Sequence, residues 1–222
     1  MKWIFVVSLA FTTLISCSNS SDFETGEIKA IKMLRETLIA HKKSTILLDT
    51  RKIITRNKID NAKIPVLFVE LENGQNGTLT LYPGEGIGET WLGADGATIT
   101  LQSGRIKATR GMRSDVMGST SSMPPWSEIE DTSEYSRQIS YLGGDNQTSF
   151  KTFSCIMKKH NKQSTITIFD VPFETQEFLE VCINGTEKLE NIYFVDYKNV
   201  VRSSKQYHGA ALGYLTIERL DR

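Results

Sequence analysis

The chain has 222 residues, and its 26 Lys and Arg residues balance its 26 Asp and Glu residues, so the formal net charge is zero. A neutral chain produces no net field that would attract nucleic acid or an anionic bilayer, so neither is an expected electrostatic partner. The length suits one domain, or at most two, and is enough to bury a sizeable core.

The N-terminus has the layout of a secretory signal peptide. Lys2 supplies a positive start, and an apolar stretch follows from Trp3 to Leu14. This stretch is shorter than the roughly 20 apolar residues that span a bilayer. It ends in the run Leu14-Ile15-Ser16-Cys17, which resembles the lipobox of bacterial lipoproteins. The resemblance implies cleavage before Cys17, thioether lipidation of Cys17 and acylation of the new amino terminus; an ordinary signal peptide that contains a cysteine is the alternative.

These features predict the organisation of the whole chain. Residues 1–16 form a lipoprotein signal peptide, residues 17–22 the lipidated cysteine and a polar tether, and residues 23–222 a single β-rich periplasmic domain. One acyl chain holds a protein only marginally, so the several chains of a bacterial lipoprotein make the attachment to the membrane durable. Residue 18 is Ser, whereas Asp at this position of bacterial lipoproteins favours retention in the inner membrane. We therefore expect a lipid-anchored protein at the periplasmic face of the outer membrane.

An amphipathic helix is predicted directly after the tether. Ser21 and Glu24 have the spacing of a capping box. Apolar residues then recur at helical spacing, at Ile28, Ile31, Leu34 and Leu38. We expect this helix to cover the core of the domain, although the same stripe could dock on a partner.

Beyond residue 60 the pattern predicts many short strands. Predicted strands cover residues 66–71, 78–82, 98–101, 105–109, 150–157, 165–169, 173–183, 192–196, 200–207 and 215–220. Residues 117–134 are rich in Ser, Thr and acidic residues and predict a long surface loop. Because few long helices separate the strands, we expect a mainly β fold, an antiparallel sandwich or a barrel-like meander with the N-terminal amphipathic helix.

Two cysteines remain after Cys17. Cys155 and Cys182 are an even number in a chain that is exported to an oxidising compartment, so a disulfide between them is predicted, with two buried free thiols as the alternative. In the chain-entropy model, such a bond stabilises the fold by roughly 3 to 4 kcal/mol. No metal site is predicted, because the three histidines lie far apart with no ligand spacing beside the cysteines.

Two parts of the chain have a recognisable sequence pattern. The first comprises residues 91–96 and 104–115, and the second comprises residues 191–196, 201–206 and 212–220. The first resembles the central hairpin, and the second the C-terminal end, of the YjbF/GfcB family of capsule and exopolysaccharide lipoproteins. The lipobox and the cysteine pair agree in order and approximate spacing, whereas Val66, Phe194 and Gly209 depart from the usual family residues.

The resemblance implies a non-enzymatic role in the production or export of surface polysaccharide, without a cofactor. It implies partners among other periplasmic and outer-membrane export proteins, in addition to the membrane that the lipid enters. The polysaccharide itself is a further candidate partner. Trp91 is the candidate glycan contact, since an aromatic ring can stack on a sugar, although a tryptophan at a strand end is more often part of a core or its rim.

Two other functions remain open from the sequence. Glu85 with Glu89 or Asp95 could form the two-carboxylate device of a polysaccharide-modifying enzyme, if the fold brought two of them together. A barrel that shelters a glycan or lipid ligand is the other alternative.

Overall fold

The computed structural model describes residues 49–84, 86–142 and 147–222. The predicted signal peptide, Cys17, the tether and the amphipathic helix lie outside these residues. No helix in the described part of the chain is both long and apolar enough to cross a membrane.

The described chain is mainly β, as predicted. Two short helices come first, α1 (Thr50–Ile53) and α2 (Arg56–Ala62). The strands are β1 (Val66–Leu71), β2 (Asn76–Tyr82), β3 (Glu89–Gly93), β4 (Thr98–Gln102), β5 (Arg105–Arg110), β6 (Val116–Ser121), β7 (Thr132–Leu142), β8 (Thr148–Ile168), β9 (Val171–Asn184), β10 (Glu187–Asp196), β11 (Val201–Gly209) and β12 (Gly213–Arg219). A 3₁₀ turn, Trp126–Glu128, lies between β6 and β7.

All twelve strands belong to one antiparallel sheet in the order β5-β4-β3-β2-β1-β12-β11-β10-β9-β8-β7-β6. Each strand pairs with a neighbour in sequence, except that the first strand pairs with the last, with Val69 opposite Ile217. The two edges of the sheet are therefore β5 and β6. The Arg110 guanidinium of β5 donates to the carbonyl oxygens of Val116 (3.1 Å) and Met117 (3.3 Å) of β6. The sheet is thus a nearly closed barrel, the meander alternative of the prediction.

In strand β1, successive side chains alternate between the two faces of the sheet, and both faces are covered. Leu67 and Val69 join the cluster that surrounds Trp91, while Phe68 points to the opposite face and is also fully buried. That opposite face is covered by α2 and by the tip of the long β8–β9 hairpin, where the rings of Phe68 and Phe169 lie 5.6 Å apart. Strand β1 is consequently buried on both faces.

Several regions differ from the predicted elements. Strand β3 and most of β7 have no predicted counterpart.

Residues 150–157 and 165–168 belong to one strand, because pairing between β8 and β9 continues through the polar segment with a register shift between Lys159 and Gln163, and Phe169 lies in the turn that follows. The predicted surface loop at 117–134 is largely wrong, since it contains the end of β6, the 3₁₀ turn and the start of β7. Trp126 and Ile129 in this region are buried, because their apolar side chains turn into the core while the acidic residues beside them stay exposed.

Candidate functional site

A buried carboxylate organises the polar part of the interior. Glu180 of β9 is completely shielded from solvent. Its carboxylate accepts hydrogen bonds from the hydroxyl groups of Tyr135 and Tyr193 (2.8 Å for Tyr193), from the Asn191 amide, and from Arg137 Nη1 at 3.0 Å. Sheet pairing explains this convergence: Asn191 lies directly opposite Glu180, and Tyr135 and Arg137 are two positions apart on one face of β7. We call these five residues the Glu180 cluster.

Electrostatics keeps the cluster in one protonation state. Burial by itself would raise the pKa of Glu180, but the Arg137 charge and the three neutral donors stabilise the carboxylate and hold its pKa below the usual value. Burial, together with the Glu180 charge, raises the pKa of both Tyr135 and Tyr193, so both hydroxyls remain donors. The charge of Glu180 likewise raises the pKa of Arg137 although burial opposes this. The cluster therefore holds one ion pair and two neutral phenols.

The disulfide lies beside this cluster. Cys155 and Cys182 face each other across β8 and β9, and their sulfur atoms are 1.95 Å apart. Glu180 is two positions from Cys182 on the same face of β9, and a carboxylate oxygen lies within 4.8 Å of the sulfurs. With both sulfurs in the bond, this group of Cys and Glu side chains offers no thiolate to a metal ion.

Two polar side chains of β11 cross the interior to β5. The Gln206 side chain accepts a hydrogen bond from the Ile106 backbone N–H (2.9 Å) and donates to the Gly104 carbonyl oxygen (2.9 Å). His208 Nε2 lies 3.0 Å from Thr109 Oγ1. The Thr109 hydroxyl donates to Asp115, so Nε2 is the donor to Thr109. Burial lowers the pKa of His208, and the charge of Asp115 opposes this effect. The hydrogen bonds of Gln206 and His208 hold β5 against β11 on the opposite side of the barrel.

A cavity of about 220 Å³ lies next to the seam between β5 and β6. We call it the seam pocket; its walls include Ser103, Arg105, Lys107, Ser121, Trp126 and Arg137. Arg105 places its guanidinium carbon 5.7 Å from the Trp126 ring centre, and the Trp126 indole N–H donates to the Ser103 carbonyl oxygen at 3.0 Å. Arg137 joins this pocket to the Glu180 cluster.

Two clusters of apolar side chains pack the interior, one around Phe153 and Tyr193 and the other around Trp91. A second cavity, of about 250 Å³, lies beside the Trp91 cluster and is lined by Leu67, Leu101 and Ile217. A wider cavity of about 670 Å³ lies at one end of the barrel, next to the turns that follow β1 and β3. Its walls include Val69, Leu79 and Met112.

Comparison with known proteins identifies the family. The family model described as group 4 capsule polysaccharide lipoprotein GfcB, YjbF, matches residues 31–220. This chain belongs to the YjbF family. The resemblance found in the sequence is confirmed, and it places the protein among lipoproteins associated with capsule polysaccharide and with the cell envelope.

A solved structure of similar fold is the hypothetical lipoprotein YmcC from Escherichia coli (K12). The two structures align with a TM-score of 0.68 and 19% sequence identity, over 86% of this chain and 95% of YmcC. At this identity the similarity shows the fold. No curated protein matches the chain significantly.

Trp91, the predicted glycan contact of this YjbF-family chain, lies in the core. Its side chain has no exposed surface, and Leu67 and Ile99 are members of the same apolar cluster. A glycan cannot stack on the ring unless the core opens. The structure therefore assigns Trp91 to packing, the more common role of a strand-end tryptophan.

Both predicted carboxylate pairs, Glu85 with Glu89 and Glu85 with Asp95, include Glu85, which lies outside the described residues. Glu89 accepts two hydrogen bonds from Arg219 Nη1 (2.9 and 2.8 Å), and Asp95 accepts one from the Ala97 backbone N–H.

The sequence did not reveal the Glu180 cluster or the seam pocket. A signal for the cluster exists in the alternation of Tyr135 and Arg137 with exposed residues along β7. A charged residue in such an alternation is normally assigned to the solvent face, and only the pairing of β9 with β10 brings Glu180 and Asn191 together.

Proposed function

We propose that this protein is an outer-membrane-anchored periplasmic lipoprotein that supports capsule or exopolysaccharide production or export without catalysing a reaction itself. The observation that carries the proposal is the match of residues 31–220 to a family of capsule polysaccharide lipoproteins. The run Leu14-Ile15-Ser16-Cys17 supports lipid anchoring, and Ser18 supports transfer to the outer membrane.

The non-enzymatic part of the proposal is supported by the chemistry of the described interior. Its buried charges form ion pairs rather than exposed acid and base groups: Glu180 is bound by Arg137, and Asp196 by Arg202 at 2.7 Å. The Glu180 carboxylate, whose pKa is held below the usual value, stays ionised and cannot act as a general acid near neutral pH. Structural support of a multiprotein export assembly fits such an interior better than glycan chemistry.

Deletion of the gene in its native host tests the role. We expect the deletion to reduce surface polysaccharide, and a plasmid carrying the wild-type gene to restore it. The Glu89→Gln variant should restore it equally, whereas Cys17→Ser should not. Wild-type amounts of polysaccharide in the deletion strain would contradict the proposed function, and failure of Glu89→Gln with normal protein abundance would favour an enzyme.

The proposed partners are other export proteins of the envelope. Crosslinking in intact cells followed by purification of this protein should recover envelope proteins that function in polysaccharide export. The Cys17→Ser variant is the control, because a protein without the lipid is unprocessed or mislocalised and is not held at the proposed surface. Identical crosslinked partners for both forms would contradict a role that depends on anchoring.

A further inference from the structure

The seam pocket carries an excess of positive charge. Arg105 and Lys107 are two positions apart on β5 and share a face. No Asp or Glu lines the pocket, and neither residue forms an ion pair within the described parts of the chain. The third cation, Arg137, is neutralised by its ion pair with Glu180. Two uncompensated cations therefore face one small cavity.

Arg105 has donors that the protein does not satisfy. Its Nε–H is buried and has no hydrogen-bond partner. Its Nη1 lies 2.9 Å from the Met123 sulfur and 3.5 Å from Ser121 Oγ. A thioether is a weak acceptor, whereas a guanidinium prefers the two oxygens of a carboxylate or phosphate. Because methionine is flexible, the Met123 side chain can move aside for an oxyanion.

The size and the walls of the seam pocket limit which chemical group can carry the negative charge of a ligand. At about 220 Å³ it is smaller than the roughly 300 Å³ of the smallest pockets for drug-sized ligands. Pro124, Pro125 and Trp126 form its apolar wall, and Ser119 and Ser121 add hydroxyl groups. An apolar wall beside hydroxyls and cations suits one sugar ring that bears a negative group.

We propose that the seam pocket binds an oxyanion carried on a single sugar, with Arg105 and Lys107 as its cationic contacts. A carboxylate of an acidic sugar and the phosphate of a sugar phosphate share this chemistry. The inference rests on the proposed function, because it takes a component or precursor of the surface polysaccharide to be the source of the sugar. Trp126 positions Arg105 through its ring.

Binding to the purified, lipidated full-length protein in non-ionic detergent tests this proposal. Glucuronate, glucose 6-phosphate and neutral glucose are titrated separately, with ligand-observed saturation-transfer NMR as the measurement. Inorganic phosphate has no C–H protons, so its binding is measured by its displacement of the bound sugar. For ligands of so few atoms, we expect a Kd of about 1 mM. Glucuronate, glucose 6-phosphate or both should bind, and glucose should bind at least about tenfold more weakly.

Substitutions then locate the site. Arg105→Gln and Lys107→Gln should each raise the Kd of the bound sugar about tenfold, while Arg113→Gln, which removes the same charge from an exposed turn residue, should leave the Kd unchanged. Unchanged thermal unfolding of the variants shows that the fold is intact; if Arg105→Gln fails to fold, the Lys107→Gln result decides. Which of the two anionic sugars binds identifies the oxyanion.

Three results would overturn the inference: no binding of either anionic sugar, equal binding of glucose or of inorganic phosphate, or binding that Arg105→Gln and Lys107→Gln do not weaken. These results are independent of the deletion phenotype. Loss of polysaccharide on deletion without sugar binding removes the pocket assignment and keeps the proposed function. Sugar binding by Arg105 in a protein whose deletion has no phenotype removes the proposed function and keeps the site.

Discussion

Arg137 and Glu180 form an ion pair that the barrel encloses almost completely, with Nη1 and Oε2 3.0 Å apart and side chains that are 4% and 0% exposed. Taking two charges out of water is costly, and their attraction offsets this only when each retains its partner. The two tyrosines and the asparagine that complete the Glu180 cluster satisfy the remaining capacity of the carboxylate. The Glu180 cluster therefore ties β7, β9 and β10 to a single arrangement.

Replacing Arg137 should strongly destabilise the protein. Arg137→Met leaves Glu180 buried without its counter-charge, and such a loss costs about 3 to 5 kcal/mol of the free energy of unfolding. Urea unfolding of the full-length protein in non-ionic detergent measures this change. The control Arg113→Met removes an exposed arginine and should change the free energy of unfolding by less than about 0.5 kcal/mol. Equal effects of the two substitutions would contradict the structural importance of the ion pair.

Glu180 should make the free energy of unfolding depend on pH in the acid range. Its pKa is lower in the folded state than in the unfolded chain, so its contribution is fully present above the unfolded value of about 4.3 and is lost as the pH falls through the lower folded value. The free energy of unfolding of the wild type should therefore approach that of Glu180→Gln as the pH falls below about 5. Urea unfolding at a series of pH values measures the difference between the two proteins. A difference that stays constant from pH 7 to the acid limit of the measurement would refute the assignment.

The disulfide should contribute substantially to stability. Cys155 and Cys182 are 27 residues apart in sequence, and in the chain-entropy model closing this loop is worth roughly 3 to 4 kcal/mol. We expect the oxidised wild type to unfold at a higher urea concentration than the Cys155→Ser, Cys182→Ser double variant. A reductant should lower the wild-type midpoint and leave that of the double variant unchanged. A reductant that has no effect on the wild type, either on its mass or on its midpoint, would show two free thiols instead.

Gly104 should be intolerant of a side chain. Its φ is +77°, and a Cβ placed there would lie 2.3 Å from a methyl carbon of Val201. Gly104→Ala should therefore cost more than Gly96→Ala, whose φ of +89° imposes similar strain but whose Cβ would meet no atom within 4 Å. The extra cost should be about 1 to 3 kcal/mol, as for other overpacked sites. Thermal unfolding measures both variants, and equal losses of stability for Gly104→Ala and Gly96→Ala would contradict the predicted clash with Val201.

The lipid anchor should depend on Cys17 and its sorting on Ser18. Cys17→Ser should yield unprocessed or mislocalised protein, and Ser18→Asp should move the protein from outer-membrane to inner-membrane fractions on a density gradient. Ser20→Asp introduces the same charge two positions later and serves as the control. If globomycin leaves processing and membrane partitioning of the wild type unchanged, lipidation at Cys17 is excluded.

Strand content could be predicted from the sequence because one face of most strands is apolar. Ile99 and Leu101 alternate with threonines in β4, and both are buried. The same rule explains why the extent of β8 was underestimated, since its segment near His160 is polar yet lies between two paired stretches. The alternation of apolar and polar residues indicates which side chains are buried. The length of a strand depends instead on how far the neighbouring strand pairs with it.

The candidate site could not be predicted for a different reason. Arg105, Arg137 and Glu180 come from strands far apart in sequence and meet because the sheet curls until its edges approach. A charged residue at an alternating position is usually exposed, and no local pattern distinguishes the one that faces inward. Trp126 was assigned to a loop because prolines and acidic residues surround it, although its own side chain enters the core.

The order of strands has a consequence for how the barrel can open. Backbone pairing joins the first strand to the last, and the Leu220 N–H also donates to the Val66 carbonyl oxygen. The seam instead separates β5 and β6, which a short covalent connection through Asp115 keeps together. Widening of the seam therefore breaks only side-chain contacts and cannot separate the two edges far. If the seam widened, a small solute would reach the pocket while the strand pairing that defines the fold stayed intact.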